Sequence, residues 1–355
     1  MNDQQRNLAL ILTIIFIGLV IFAIQSGKPA TMKPKLLGNS SDNSNYPKAP
    51  ELNGISGYIN APEGFKLSDQ KGKIILVDFW TYSCINCMRT TPYLNAWYEK
   101  YAKDGLVIVG VHTPEFDFEK DYNNVNAAVI REGIKYPVVL DNNHGTWNAY
   151  QNRYWPRKYL IDQNGNIRYD HIGEGGYEET ESMIQKLLIE AGASTDSKKV
   201  SSEIKSETDF LSIGSPELYL GYAFARAPLG NKEGFVPNAI IDYKLADKIS
   251  PNLVYLEGRW KNNADNMELD SDSGVVVLHY LAKNVNIVAS GTNELEIFID
   301  DKPVGLAAGS DVDSYGKVKI DSERLYNIVS DREYSEHILK IKANKKFKLY
   351  TFTFG

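Results

Sequence analysis

Cysteine is scarce in this chain: 355 residues contain two, Cys84 and Cys87. One pair spaced by two residues cannot build the multi-disulfide framework of a small secreted scaffold, nor supply four thiolates to a structural zinc. Histidine is thin as well, with five residues scattered at 112, 144, 171, 279 and 337 and no compact pair of metal-ligand spacing. A basic excess is missing: 39 Lys and Arg against 45 Asp and Glu leave a formal charge of -6, which speaks against a nucleic-acid surface. Long apolar runs are confined to one stretch, residues 8–24.

Those 17 residues, from Leu8 to Ile24, would span about 25 Å as a helix, against about 30 Å for a hydrocarbon core. We expect an N-terminal transmembrane anchor after a tail at residues 1–7; a cleaved signal peptide is the alternative, but no clear small-X-small site follows. Lys28, Lys33 and Lys35 follow the run and only Arg6 precedes it, opposite to the usual inside-positive bias. A large trailing domain translocates largely regardless of that bias. Residues 25–46, rich in Ser, Asn, Lys and Pro, read as a flexible tether.

Both thiols fall in the stretch Ile-Ile-Leu-Val-Asp-Phe-Trp-Thr-Tyr-Ser-Cys-Ile-Asn-Cys at 74–87. Its apolar start predicts a buried strand, and the pattern after Ser83 predicts a helix. Cys84 then stands at a helix N-terminus, where free N–H groups and the helix dipole favour a thiolate, so it is the candidate nucleophile. Cys87, one turn later on the same face and more buried, is the candidate resolving thiol. Together they permit thiol–disulfide exchange with no cofactor beyond the Cys84–Cys87 disulfide itself. Asp78 is a carboxylate inside the apolar strand; burial would raise its pKa and let it take the proton of Cys87. The alternative use of paired thiols is Cu(I) transfer, with His112 or His171 as a third ligand. Thr81, three residues before Cys84, is similar to a peroxiredoxin site, but Val77 stands where that motif needs proline.

Val-Asp-Phe-Trp, Cys-X-X-Cys and Pro92 resemble thioredoxin, whose aspartate is a buried proton acceptor and whose proline kinks the active-site helix. Trp80-Thr-Tyr-Ser-Cys-Ile-Asn-Cys87, Gly110-Val-His-Thr-Pro-Glu115, Tyr154-Trp-Pro-Arg-Lys-Tyr-Leu-Ile-Asp162 and Gly173-Glu-Gly175 are more similar to the extracytoplasmic C-terminal part of DipZ-type cytochrome c biogenesis proteins, relatives of the TlpA-like thiol–disulfide oxidoreductases. The similarity runs from about Pro47 onward. It implies an extracytoplasmic location, protein thiols and disulfides as partners, and a membrane electron donor or acceptor. By position it also implies a cis proline at Pro156 that, with Trp155, faces the cysteines and receives a substrate strand. Ile85-Asn86 replaces the Gly-Pro of thioredoxin, and Ser83 its tryptophan, so a redox potential does not carry over.

The expected fold is an α/β thioredoxin-like domain over 47–193, a linker over 194–209 and an all-β sandwich, jelly-roll-like, over 210–355. In the first domain, residues 49–60 and 65–73 read as short strands, and 106–111 as a second apolar strand completing a right-handed β-α-β unit. Helices are expected at 122–132, 146–151 and 181–191, the last with Met183, Ile184, Leu187 and Leu188 as core. Strands are expected at 136–140, 155–162 and 167–172, with a hairpin at Asn164-Gly165. Trp80, His112 and Glu115 lie near the strand ends and are candidates to tune the thiols.

Beyond the linker, short apolar or alternating runs at 239–243, 253–260, 274–281, 285–290, 294–300, 338–343 and 346–354 argue for a sandwich. Asp300-Asp301 and Asn344-Lys345 mark hairpins. The resemblance implies a carbohydrate-binding-module fold, which does not entail a sugar ligand. Tyr219, Tyr222 and Trp260 would form the aromatic platform of such a ligand site, but core positions and a docking or dimerisation surface are the favoured reading.

Overall fold

The computed structural model describes residues 46–196, 198–204 and 208–355. The expected anchor at 8–24, the tail before it and the tether up to residue 45 lie outside the described residues. Among the described residues, no helix is long and apolar enough to cross a membrane.

Six strands, β1 (Gly57–Ile59), β2 (Ile74–Trp80), β3 (Leu106–His112), β4 (Val138–Leu140), β5 (Arg157–Ile161) and β6 (Ile167–Ile172), form one sheet in the order β1-β4-β3-β2-β5-β6. Strands β2, β3 and β4 run parallel, while β1, β5 and β6 are antiparallel to their neighbours. Four helices accompany them: α1 (Ile85–Tyr101), α2 (Tyr122–Arg131), α3 (Gly145–Ala149) and α4 (Tyr177–Glu190). Every residue of β2 is buried, as its unbroken apolar run requires of a strand covered on both faces. Ile74, Leu76 and Trp80 pack with Leu94, Trp97 and Tyr101 of α1 and Ile184 and Leu187 of α4. Ile75, Val77 and Phe79 point the other way, onto Trp147, Tyr150 and Tyr159. Each such side chain contributes about 1.5–3 kcal/mol on burial, so the strand that carries Asp78 is firmly placed.

The N-terminal part departs from expectation. Of 49–60 and 65–73, only Gly57–Ile59 is a strand, and Leu67–Gln70 is a 3-10 turn. The Glu51 carboxylate accepts from the Leu67 and Ser68 amides at 2.8 and 2.9 Å, satisfying locally the groups that a strand would have paired. Lys48 bridges Asn166 beside β6, whereas β1 pairs with β4, so one segment covers both sheet edges. Helix α4 starts four residues early because Glu178 and Glu179 suit a first turn. The described part of the linker is pinned rather than free. Glu181 accepts from the Val200 and Ser201 amides, and the Tyr93 hydroxyl donates to the Ile204 carbonyl.

The second part is all-β, as expected. Its strands are β7 (Leu218–Tyr219), β8 (Ile240–Tyr243), β9 (Val254–Asn262), β10 (Met267–Leu269), β11 (Ser273–Ser290), β12 (Asn293–Ile299), β13 (Lys302–Pro303), β14 (Lys317–Ile320), β15 (Arg324–Asn344) and β16 (Lys348–Phe354). The runs at 274–281 and 285–290 are one 18-residue strand, β11. One end of β11 pairs with β9 and the other with β16, while β10 joins β9 to β16, so the strands close around a core containing Trp260, Leu278, Ile287 and Phe347. Asp300 and Asp301 both have positive φ, 50° and 61°, in the two-residue hairpin between β12 and β13. Trp260 is fully buried and Tyr219 nearly so, which removes both from any exposed platform. Phe116, Tyr219, Val288, Leu325 and Tyr350, with Ile85 and Met88 of α1, form an apolar cluster where the two parts meet.

Candidate active site

Strand β2 ends at Trp80, and a three-residue turn delivers Cys84 to the N-cap of α1. The Cys84 carbonyl accepts from the Cys87 and Met88 amides at 3.1 and 3.0 Å. Both thiols are free; Cys84 is partly exposed and Cys87 is buried. Burial pushes the Cys87 thiol well above its ordinary range, and its hydrogen bond to Cys84 and the nearby Asp78 act in the same direction. Cys87 is therefore a protonated thiol near neutral pH, one that needs a base before it can attack.

Asp78 supplies a carboxylate on that side. It is 1% exposed and its Oδ1 has no hydrogen-bond partner among the described residues. Burial raises its pKa to about 7, with Lys158 opposing. Lys158 stands directly across from Asp78 in the β2–β5 ladder and is equally buried. Its ammonium donates to the Gly173 carbonyl at 3.1 Å, and burial lowers its pKa while Asp78, Cys87 and Glu174 hold it up. The sequence reading missed Lys158. Strand parity marks it, because it shares the inward face with Leu160 two residues on.

The Trp155–Pro156 bond is cis. The Pro156 carbonyl accepts from the Gly173 amide at 2.8 Å, and the Trp155 indole donates to the Thr113 carbonyl at 3.1 Å. Trp155 and Cys84 line a common cavity of about 170 Å³.

Of the three tuning candidates, only Glu115 lines that cavity. His112 is sealed against Trp80 and Tyr82, its Nε2 is 3.5 Å from the Thr81 hydroxyl, and burial lowers its pKa to about 3, so it is neutral. Trp80 is packed so closely on β3 that a Cβ at Gly110 would lie 2.9 Å from its Nε1. His171 faces the Glu174 carbonyl. Among the described residues, no three His, Cys, Asp or Glu side chains gather as a metal site.

Two contributions had no signal in the sequence. Glu119, fully buried, accepts from the Ser83 hydroxyl at 2.6 Å and from the Glu115 and Phe116 amides, which fastens the turn before Cys84. The β-domain supplies Glu217, Tyr219, Arg226, Thr351 and Thr353 to the cavity over Cys84. The Tyr219 hydroxyl donates to Glu115 at 2.8 Å and lies 3.4 Å from Glu217; burial raises the pKa of Glu115 to about 8.

Residues 48–170 match the AhpC/TSA family and residues 215–355 the thioredoxin-like C-terminal domain family. The chain is 34% identical over 309 residues to protein DipZ of Mycobacterium bovis, covering 86% of this chain and 43% of DipZ. The Cys84–Cys87 pair falls inside the AhpC/TSA match, and the chain is similar to thiol–disulfide oxidoreductases. Two shorter relatives bear that activity in their names: YkuV of Bacillus subtilis, 29% identical over 40% of this chain and 94% of its own, and ResA of Bacillus thuringiensis, 28% identical over 53% and 99%. The chain spans less than half the length of DipZ. In this chain Thr81 turns its hydroxyl toward His112.

Proposed function

We propose that the protein exchanges a Cys84–Cys87 dithiol/disulfide with extracytoplasmic protein substrates. The observation that carries this reading is a part-exposed thiol at a helix start, backed by a buried thiol and a buried carboxylate whose Oδ1 has no hydrogen-bond partner and whose pKa is about 7. In the reductive direction, the Cys84 thiolate attacks a substrate disulfide, forming a mixed disulfide and releasing one substrate thiolate. Asp78 then takes the proton of Cys87, whose sulfur attacks Cys84, closing the intramolecular disulfide and releasing the second substrate thiolate. Two electrons pass to the substrate; the reverse sequence oxidises it.

Trp155 and Pro156 receive the substrate strand in this scheme. The Pro156 carbonyl is already taken by Gly173, so pairing falls to the Trp155 peptide. We further read residues 8–24 as the anchor that holds the domains outside the membrane, near a membrane electron donor or acceptor. We read the β-domain as jelly-roll-like, and the apocytochrome c thiol pair as the substrate to test in cytochrome c biogenesis.

Substitution separates the two thiols. Cys84→Ser should abolish reduction of insulin disulfides, and Cys87→Ser should accumulate a mixed disulfide visible by non-reducing electrophoresis. Full turnover in either variant would refute the scheme.

A further inference from the structure

The cavity over Cys84 is closed by residues from both domains, and some of its polar groups, Arg153 and the Thr353 hydroxyl among them, have no partner of opposite kind among the described residues. Arg153, from the loop before Trp155, and Arg226, from the β-domain, both line it. Among the described residues neither guanidinium is hydrogen-bonded to a carboxylate; that of Arg226 lies 4.9 Å over the Tyr219 ring. Thr353, 4% exposed, also lines the cavity, and its hydroxyl has no partner. A buried hydroxyl left unpaired costs about 1–3 kcal/mol unless a bound group satisfies it. The carboxyls present do not fill that role. Glu115 is engaged by Tyr219 and, with a pKa of about 8, is mostly protonated at neutral pH; burial raises Glu217 too, with Arg226 opposing in both cases. The wall facing the nucleophile thus carries Arg153, which makes no ion pair among the described residues, Arg226, whose charge also acts on Glu115 and Glu217, and the unpartnered Thr353 hydroxyl.

We propose that this cavity is a recognition subsite for anionic substrates: disulfides that carry a carboxylate within one residue of the sulfur attacked by Cys84, held by Arg153, Arg226 and the Thr353 hydroxyl. Guanidinium suits a carboxylate because its planar fork can donate two parallel hydrogen bonds. A volume of about 170 Å³ admits about one residue, so the carboxylate belongs to the half-cystine itself or its immediate neighbour. The subsite rests on the exchange activity proposed above.

The test uses the reduced full-length chain. Rates of disulfide reduction are compared for glutathione disulfide, which is acidic, and cystamine, which is cationic, each normalised to its reaction with dithiothreitol. A second pair of probes, disulfide-linked peptides with Glu or Lys beside the cysteine, carries the same comparison into polypeptide. We expect the acidic probe to be favoured. Arg226→Ala and Arg153→Ala should each raise KM for it by about three- to fivefold, as partly exposed charged pairs do, while cystamine reduction quickens; Arg226→Lys should recover part of the loss. Preference for glutathione disulfide alone would assign the subsite to small disulfides, and preference among the peptides alone to acidic protein segments; both support it. Exchange without charge preference, or equal losses on all probes, overturns the subsite only. No exchange with any probe overturns the oxidoreductase reading and the subsite with it.

Discussion

Replacing Asp78 by Ala should change the pH dependence of one chemical step, resolution of the mixed disulfide. Cys87 is pushed well above the ordinary thiol value of 9.0, so fewer than about one thiol in 100 ionises unaided at pH 7. Asp78, at about 7, is near half-ionised there and is the proposed acceptor of the proton. The variant should therefore resolve at least about 100-fold more slowly at pH 7, within the range of general-base contributions. Above pH 7 the wild-type rate levels off as Asp78 becomes fully ionised, while the variant's rate climbs about tenfold per pH unit. The gap closes toward high pH. The assay is release of thionitrobenzoate in a stopped-flow instrument from a preformed mixed disulfide on Cys84. A loss of equal size at every pH, or a wild-type profile with no inflection near 7, would refute the proton-acceptor role.

Lys158→Met removes the cation that opposes burial at Asp78, so the inflection of the same profile should move above pH 7 while the fold is kept, as apolar replacements of buried charges often allow. Glu115→Gln bears on stability. A carboxyl raised from 4.5 to about 8 contributes stability that is full below 4.5 and lost as pH rises through 8. Urea titrations at pH 5 and 9 should show wild type losing about 2–3 kcal/mol more than the variant, after discounting for partial exposure. Gly110→Ala should cost about 1–3 kcal/mol in the same assay, since its methyl group would press on the Trp80 indole.

How much of this was legible depended on whether the determining contact was local. Strand β2, the Cys84 N-cap and buried Cys87 follow from an apolar run that changes period within a few residues, so spacing placed them correctly. Pro156 needed the resemblance, because nothing local distinguishes it from a proline at a strand start. Lys158 was readable by strand parity, yet a lone cation beside Arg157 reads as solvated until its cross-strand partner is known. Glu119 left no trace, and Tyr219 was legible only as a core or docking residue: their partners Ser83 and Glu115 lie 36 and 104 residues away. The false strand at 65–73 has the same cause, a distant carboxylate, Glu51, taking over the backbone amides. In β15, polar residues such as Asp331, Arg332 and Glu333 hid residues 324–337 of a 21-residue strand that its long ladder with β11 stabilises.

The central claim is that Cys84 and Cys87 form a reversible two-electron couple. A redox titration of the full chain in glutathione buffers, counting free thiols by alkylation and mass, tests it most directly. The account expects one transition in which both thiols are lost together, with the oxidised-to-reduced ratio changing tenfold per roughly 30 mV. Thiols that stay reduced across the range, or that bind Cu(I) stoichiometrically without ever closing a disulfide, would contradict it.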